Sequence, residues 1–120
     1  MVAERIYDLL PNSLPKVIGE LPSAETEVVA VMEYSGVSST EYFGAKDDNV
    51  SVLRPIVKVL IRNSSYQTGS EWAELVKGTL HRYHDDYFIN IMLVNSPIYL
   101  GRNSVKQHEF QVTFNTQVKE

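Results

Sequence analysis

The sequence predicts an α+β domain of order α-β-β-α-β-β. Its mostly antiparallel sheet has about four strands, one principal helix packed on one face, and a short N-terminal helix. Three observations lead there. A helix-period apolar stripe runs from Tyr66 to Tyr83. Period-two alternation marks 53–63, 87–94 and 108–118. A β-branched run, EVVAVMEY, occupies 27–34.

Taken in order, Val2, Ile6, Leu9 and Leu10 fall at helical spacing before Pro11 and predict a short amphipathic helix lying on the domain. Pro11, Pro15 and Pro22 make 11–26 a connector. After the strand at 27–34, residues 35–51 are rich in Ser, Gly, Asp and Asn and keep no period, which predicts a long flexible loop. Tyr42 and Phe43 sit in it with nothing local to bury them. In the next strand Val57, Val59 and Ile61 share one face, while Ile56, Lys58, Leu60 and Arg62 share the other, a mixed surface suited to partial covering. Pro55 cannot donate to a ladder, so it belongs at the strand's entrance or on a sheet edge.

The main helix carries Gly69, Trp72, Ala73, Val76 and Leu80 on its stripe, with capping-box spacing at both Ser64–Gln67 and Thr68–Glu71. Gly78 in its interior costs about 1 kcal/mol relative to alanine and points to a close approach of helix to sheet, or else to a surface position. Tyr87, Ile89, Ile91 and Leu93 alternate with Phe88, Asn90, Met92 and Val94 in a third strand. Asn95-Ser96-Pro97 punctuates it, a short extended IYLG follows, RNSVKQ turns the chain, and HEFQVTF begins the closing strand. The 120 residues form one expected domain, 1–120, without repeats or low-complexity tracts.

Composition narrows the function classes. Hydrophobic residues make up 43% and charged residues 22%, as in soluble globular proteins. With no cysteine, disulfides and thiolate metal sites are excluded. The N-terminal residues include Glu4, Arg5 and Asp8 and no uninterrupted apolar run, so neither a secretory signal nor a membrane span is expected. The net charge of −4, without any Lys/Arg block, argues against nucleic-acid binding, which needs a basic stripe.

No catalytic array stands out. His81 and His84, with Asp85 and Asp86, superficially resemble a ligand cluster. Zinc needs at least three convergent ligands, and a helix end with turn-forming aspartates accounts for the same residues. No nucleophile elbow, P-loop or dinucleotide fingerprint occurs, so neither an enzyme nor a cofactor is expected. Phe88 and Phe110 could stack bases on an RNA-binding sheet, but the glycine-aromatic signature is missing and core packing explains both.

The stretches RPIVKVLIRNSSYQTGSEWAELVKGTL (54–80) and INIMLVNSPIYLGRNSVKQHEFQVTFNTQV (89–118) together resemble the tail terminator proteins of long-tailed bacteriophages, also known as minor capsid or tail-completion proteins. The opening IYDLL helix and the EVVAVMEYSG strand fit the same pattern. The resemblance implies a structural virion protein, made in the bacterial host cytoplasm and placed at the head–tail junction. It implies partners: further copies of itself in a hexameric ring, the tail tube protein, and head-side connector proteins. DNA would pass through the lumen without specific binding, which the acidic balance favours, and no membrane is involved. Candidate contacts to neighbouring subunits or the tube are Tyr42, Phe43, Arg62, Tyr99 and Arg102. The alternatives are another neck component, such as a head-completion or tail-to-head joining protein, and a small ligand-binding α+β domain.

Overall fold

The computed structural model describes residues 2–19, 27–34, 52–53 and 55–119. The expected loop at 35–51, with Tyr42 and Phe43, lies outside them. The elements are α1 (Val2–Leu9), β1 (Lys16–Ile18), β2 (Val28–Tyr34), β3 (Val52–Leu53), β4 (Ile56–Asn63), α2 (Tyr66–Leu80), β5 (Phe88–Leu93), β6 (Ile98–Arg102) and β7 (His108–Lys119).

The α+β class and the mostly antiparallel pairing are as expected, but the sheet is larger than four strands and includes one parallel pair. The order is α-β-β-β-β-α-β-β-β rather than α-β-β-α-β-β. Seven strands join it among the described residues. β1 hides in the proline-marked connector, because three residues are too few to show a period. It pairs parallel to β2, from Lys16–Val29 to Ile18–Val31. The remaining ladders are antiparallel: β2 with β4, and β4 with β7 from Ile56–Asn115 to Asn63–His108.

β7 is flanked on both sides by broken strands. On one side β3 keeps the register of β4, with Leu53 opposite Val118. Between them Pro55, which offers no N–H, turns its carbonyl to Thr116, whose N–H (3.1 Å) and Oγ1 (2.7 Å) both donate to it. On the other side β5 pairs with Asn115–Val118 and Phe114, and β6 with His108–Gln111. The Val94 N–H still donates to the Thr113 carbonyl (2.9 Å), so β5 and β6 lie end to end along β7 rather than against each other. IYLG, expected as a short extended piece, is therefore a strand of the outer edge.

Alternation sends Val57, Val59 and Ile61 of β4, with Phe110, Val112 and Phe114 of β7, into one core under both helices. Phe88 and Phe110 are buried, in agreement with the packing expectation. From α1, Val2, Ala3, Ile6 and the following Leu10 join that core; from α2, Ala73, Val76 and Leu80 do. The opposite face of the sheet is also partly covered, with Ala30, Leu60 and Arg62 buried.

Side chains from the sheet complete the ends of α1. Glu33 Oε1 accepts from the Ala3 N–H (2.9 Å), and Lys16 Nζ donates to the carbonyls of Tyr7 (2.9 Å) and Leu10 (3.0 Å). Each places the charge that the local end of the helix dipole favours. In α2 neither expected capping box is the one used. Ser65 is the N-cap, its hydroxyl accepting from the Thr68 N–H at 3.3 Å. The helix ends at Leu80, short of Tyr83, because Arg82 takes a left-handed φ of 66° and turns the chain toward β5.

The close approach of helix to sheet falls at Gly69 rather than Gly78. A Cβ on Gly69 would lie 2.7 Å from Phe110 Cε1 and 3.3 Å from Asn63 Cβ, whereas one on Gly78 would meet nothing within 4 Å. A stripe read from sequence places both glycines in the helix, but only the packing says which one touches the sheet.

Candidate functional site

The outer edge of the sheet, β5, β6 and the turn into β7, differs in chemistry from the rest of the surface. Seven of the ten exposed large apolar side chains among the described residues fall between Ile89 and Val105, although isolated exposed apolars are ordinary on protein surfaces. From Tyr87 to His108 the sequence has no Asp or Glu but carries Arg102 and Lys106, in a chain whose net charge is −4. The edge is therefore apolar and locally basic.

Its geometry follows from the turn chemistry. Register shifts between Phe88 and Asn90, and again between Tyr99 and Gly101, introduce two irregularities. Gly101 accommodates the second with a φ of 98°, open to a residue without Cβ. Asn103 then organises the β6–β7 turn: its Oδ1 accepts from the N–H groups of Val105 and Gln107, both at 3.0 Å. The result holds Arg102 and Lys106 on the same end of the domain as the start of α2.

At that end four rings meet. Tyr66, the first residue of α2, lies 5.1 Å from Tyr99, 5.6 Å from His108 and 5.3 Å from Phe110 between ring centroids. The Tyr99 hydroxyl and His108 Nδ1 share a 2.8 Å hydrogen bond. Phe110 is buried while Tyr66 and Tyr99 are 52% and 42% exposed, so the cluster is anchored in the core and open outward. Rings held in this way lose little side-chain freedom on contact with a partner, a property of interface anchors.

The sequence-derived contact residues are distributed unevenly around this region. Tyr99 and Arg102 both lie on the outer edge and are exposed. Arg62 is 5% exposed on the opposite sheet face, its Nε donating to Glu109 Oε2 at 3.0 Å across the β4–β7 ladder. Tyr42 and Phe43 lie outside the described residues. Ile98, Leu100, Met92 and Val94 were not singled out by sequence, because alternation treats every apolar strand residue as a candidate for the core. The available signal was the acid-free span from Tyr87 to His108.

The histidine–aspartate stretch serves the fold. His81 Nδ1 accepts from the Leu93 N–H (3.1 Å), tying the end of α2 to β5. Asp85 Oδ1 accepts from the N–H groups of Tyr87 (2.8 Å) and Phe88 (2.7 Å), and Oδ2 from the Tyr83 hydroxyl (2.8 Å). The Phe88 N–H holds the Asp85 carboxyl below its ordinary pKa, and the same carboxylate raises that of the Tyr83 phenol by accepting its proton in a hydrogen bond. Among the described residues no group of three His, Cys, Asp or Glu side chains could hold a metal ion. No helix among them is long and apolar enough to cross a membrane.

The family model described as bacteriophage tail terminator protein matches residues 3–120, nearly the whole chain. The chain belongs to the bacteriophage tail terminator proteins. Members of this family are structural proteins of the virion tail, and virion structural proteins are generally not enzymes. The fold is shared with a chain from a solved structure entitled "Virion of native gene transfer agent (GTA) particle", at a TM-score of 0.59 and 11% identity, covering 96% of this chain and 84% of that one. No curated protein matches the sequence.

Proposed function

We propose that this protein closes a ring on the end of the tail tube, ends tube polymerisation, and presents the surface to which the filled head joins. The observation that carries the reading is the family match over residues 3–120. The shared fold with a chain of a gene transfer agent virion particle is consistent with a place in such an assembly. The apolar, basic outer edge and its anchored aromatic cluster supply what a subunit with permanent neighbours needs, since a cluster of exposed apolar side chains is better covered by a partner than left in water. In this reading the ring is a hexamer of the chain at the head–tail junction. It contacts the tube protein on one side and head-side connector proteins on the other.

DNA passes through the lumen unheld. A chain with net charge −4 gives phosphates little to bind, so passage is favoured over retention. The role is tested by electron microscopy of tails assembled without this protein. Tubes of irregular, extended length are the expected result, and tubes of normal length that still join heads would overturn it. Strong, salt-sensitive retention of DNA by the protein would remove the open-lumen part.

A further inference from the structure

We infer that the outer edge formed by β5 and β6 of one copy docks against the solvent face of α2 in the next copy. The inference deepens the ring reading and rests on it. It starts from what the edge can accept. On the β5 half the outward backbone groups are already taken, the Ile91 carbonyl accepting from the Arg82 N–H (2.7 Å) and the Ile91 N–H donating to the Tyr83 carbonyl (3.1 Å). On the β6 half a register shift and Pro97, which has no N–H to offer, interrupt the edge. A third strand cannot add along its length, so a partner meets side chains rather than backbone, and a helix surface suits that contact.

Charge and apolar placement select the helix. The edge presents Ile98 and Leu100, 43% and 50% exposed, and its end carries the exposed Arg102 and Lys106. Arg102 leans to the His108 side of the sheet and Ile98 to the Gln111 side. Its complement is an apolar centre bordered by carboxylates, and the solvent face of α2 has that form. Leu75 is 42% exposed there, next to the exposed Glu74 and one turn beyond the exposed Glu71. Lys77 is only a 3.8 Å partner to Glu74, at a spacing and exposure where an ion pair holds weakly. All fifteen acidic residues of the chain lie outside 87–108, so a second copy offers the opposite charge on the surface the edge lacks. The two patches are different, which makes the contact head-to-tail, the kind that a closed ring repeats.

The chain has no cysteine, so single thiols can be placed cleanly. Full-length Leu75→Cys and Leu100→Cys proteins would be mixed, added to tail tubes and treated with a short thiol-to-thiol cross-linker, with Leu100→Cys plus Asn12→Cys as the comparison pair. Cross-linked dimers from the first pair alone are expected. Arg102→Glu with Lys106→Glu should reduce assembly about tenfold or more through like-charge contact, and adding Glu71→Lys with Glu74→Lys in the same chain should restore it. Unchanged unfolding midpoints show that each variant folds. Rings seen by electron microscopy without the 75–100 cross-link, or unaffected by the charge reversal, would overturn this contact and leave the ring standing. A protein that never multimerises, even on tubes, would overturn both.

Discussion

Gly69 and Gly78 occupy one helix and invite the same substitution, with opposite expected results. Replacing an interior helix glycine with alanine ordinarily stabilises by about 1 kcal/mol, because the unfolded chain loses freedom and the helix gains a better former. At Gly78 a Cβ meets nothing within 4 Å, so that gain should be realised in full. At Gly69 the same atom would stand 2.7 Å from Phe110 Cε1 and 3.2 Å from Cδ1. The ring has little room to retreat, because Tyr66 and Tyr99 pack on it at centroid distances of 5.3 and 5.2 Å. Forcing a methyl into such packing costs about 1–3 kcal/mol. Helix propensity is nearly common to both sites, so the two alanine variants should differ by about 1–3 kcal/mol, with Gly69→Ala the less stable. Urea unfolding of both proteins, followed by circular dichroism and compared at constant m, measures the difference. Equal stability of the two would refute the assignment of Gly69 as the close contact between helix and sheet.

Further outcomes concern the polar contacts of the sheet. Thr116→Val, which keeps shape but loses the hydroxyl donating to Pro55, should cost about 1 kcal/mol in the same unfolding assay, since the Pro55 carbonyl keeps the backbone donor. Arg62→Met should cost about 1–3 kcal/mol, less than a fully buried pair would because Glu109 retains 21% exposure, and Glu109→Met in the same chain should recover much of the loss. The carboxyls of Asp85 and Glu27 have lowered pKa values, held chiefly by the Phe88 N–H and by the Ser64 hydroxyl respectively. A folded pKa below the unfolded one gives stability that is full above the unfolded value and is lost as pH falls through the folded one. Stability should therefore decline below about pH 4, the ordinary carboxylate range. Asp85→Asn with Glu27→Gln should flatten that decline in unfolding curves collected across acid pH, and an unchanged slope would contradict it.

Much of the architecture can be read from residues one at a time. Val57, Val59 and Ile61 announce the inward face of β4, and the run from His108 to Val118 announces β7, because a period of two fixes which side chains share a face before any partner is known. Pro11 and the turn around Asp85 mark ends for the same local reason. The three-residue β1 and the two-residue β3 are too short to carry a period, and their strand character comes from the neighbours that hydrogen-bond them. Ser65 prevails over two equally good capping boxes only because the chain leaves β4 at Asn63, whose Oδ1 accepts from the Ser65 N–H at 2.8 Å.

The candidate surface divides in the same manner. Tyr99 and Arg102 were visible as the marked residues of an unusual turn, and the family resemblance followed from their order with the helix and strands around them. Arg62 looked equally available, but cross-strand register set it against Glu109 and buried it. Sequence by itself determined the α+β class, the principal helix, the central strands and membership of the tail terminator family. Those rest on local period and residue order, which need no knowledge of what packs where. Only the tertiary structure decided that IYLG lines an outer edge, that Gly69 touches Phe110, and that apolar side chains from Ile89 to Val105 face solvent. Exposure is a property of the whole packed chain, and an alternating strand shows which residues share a face but not whether anything covers it.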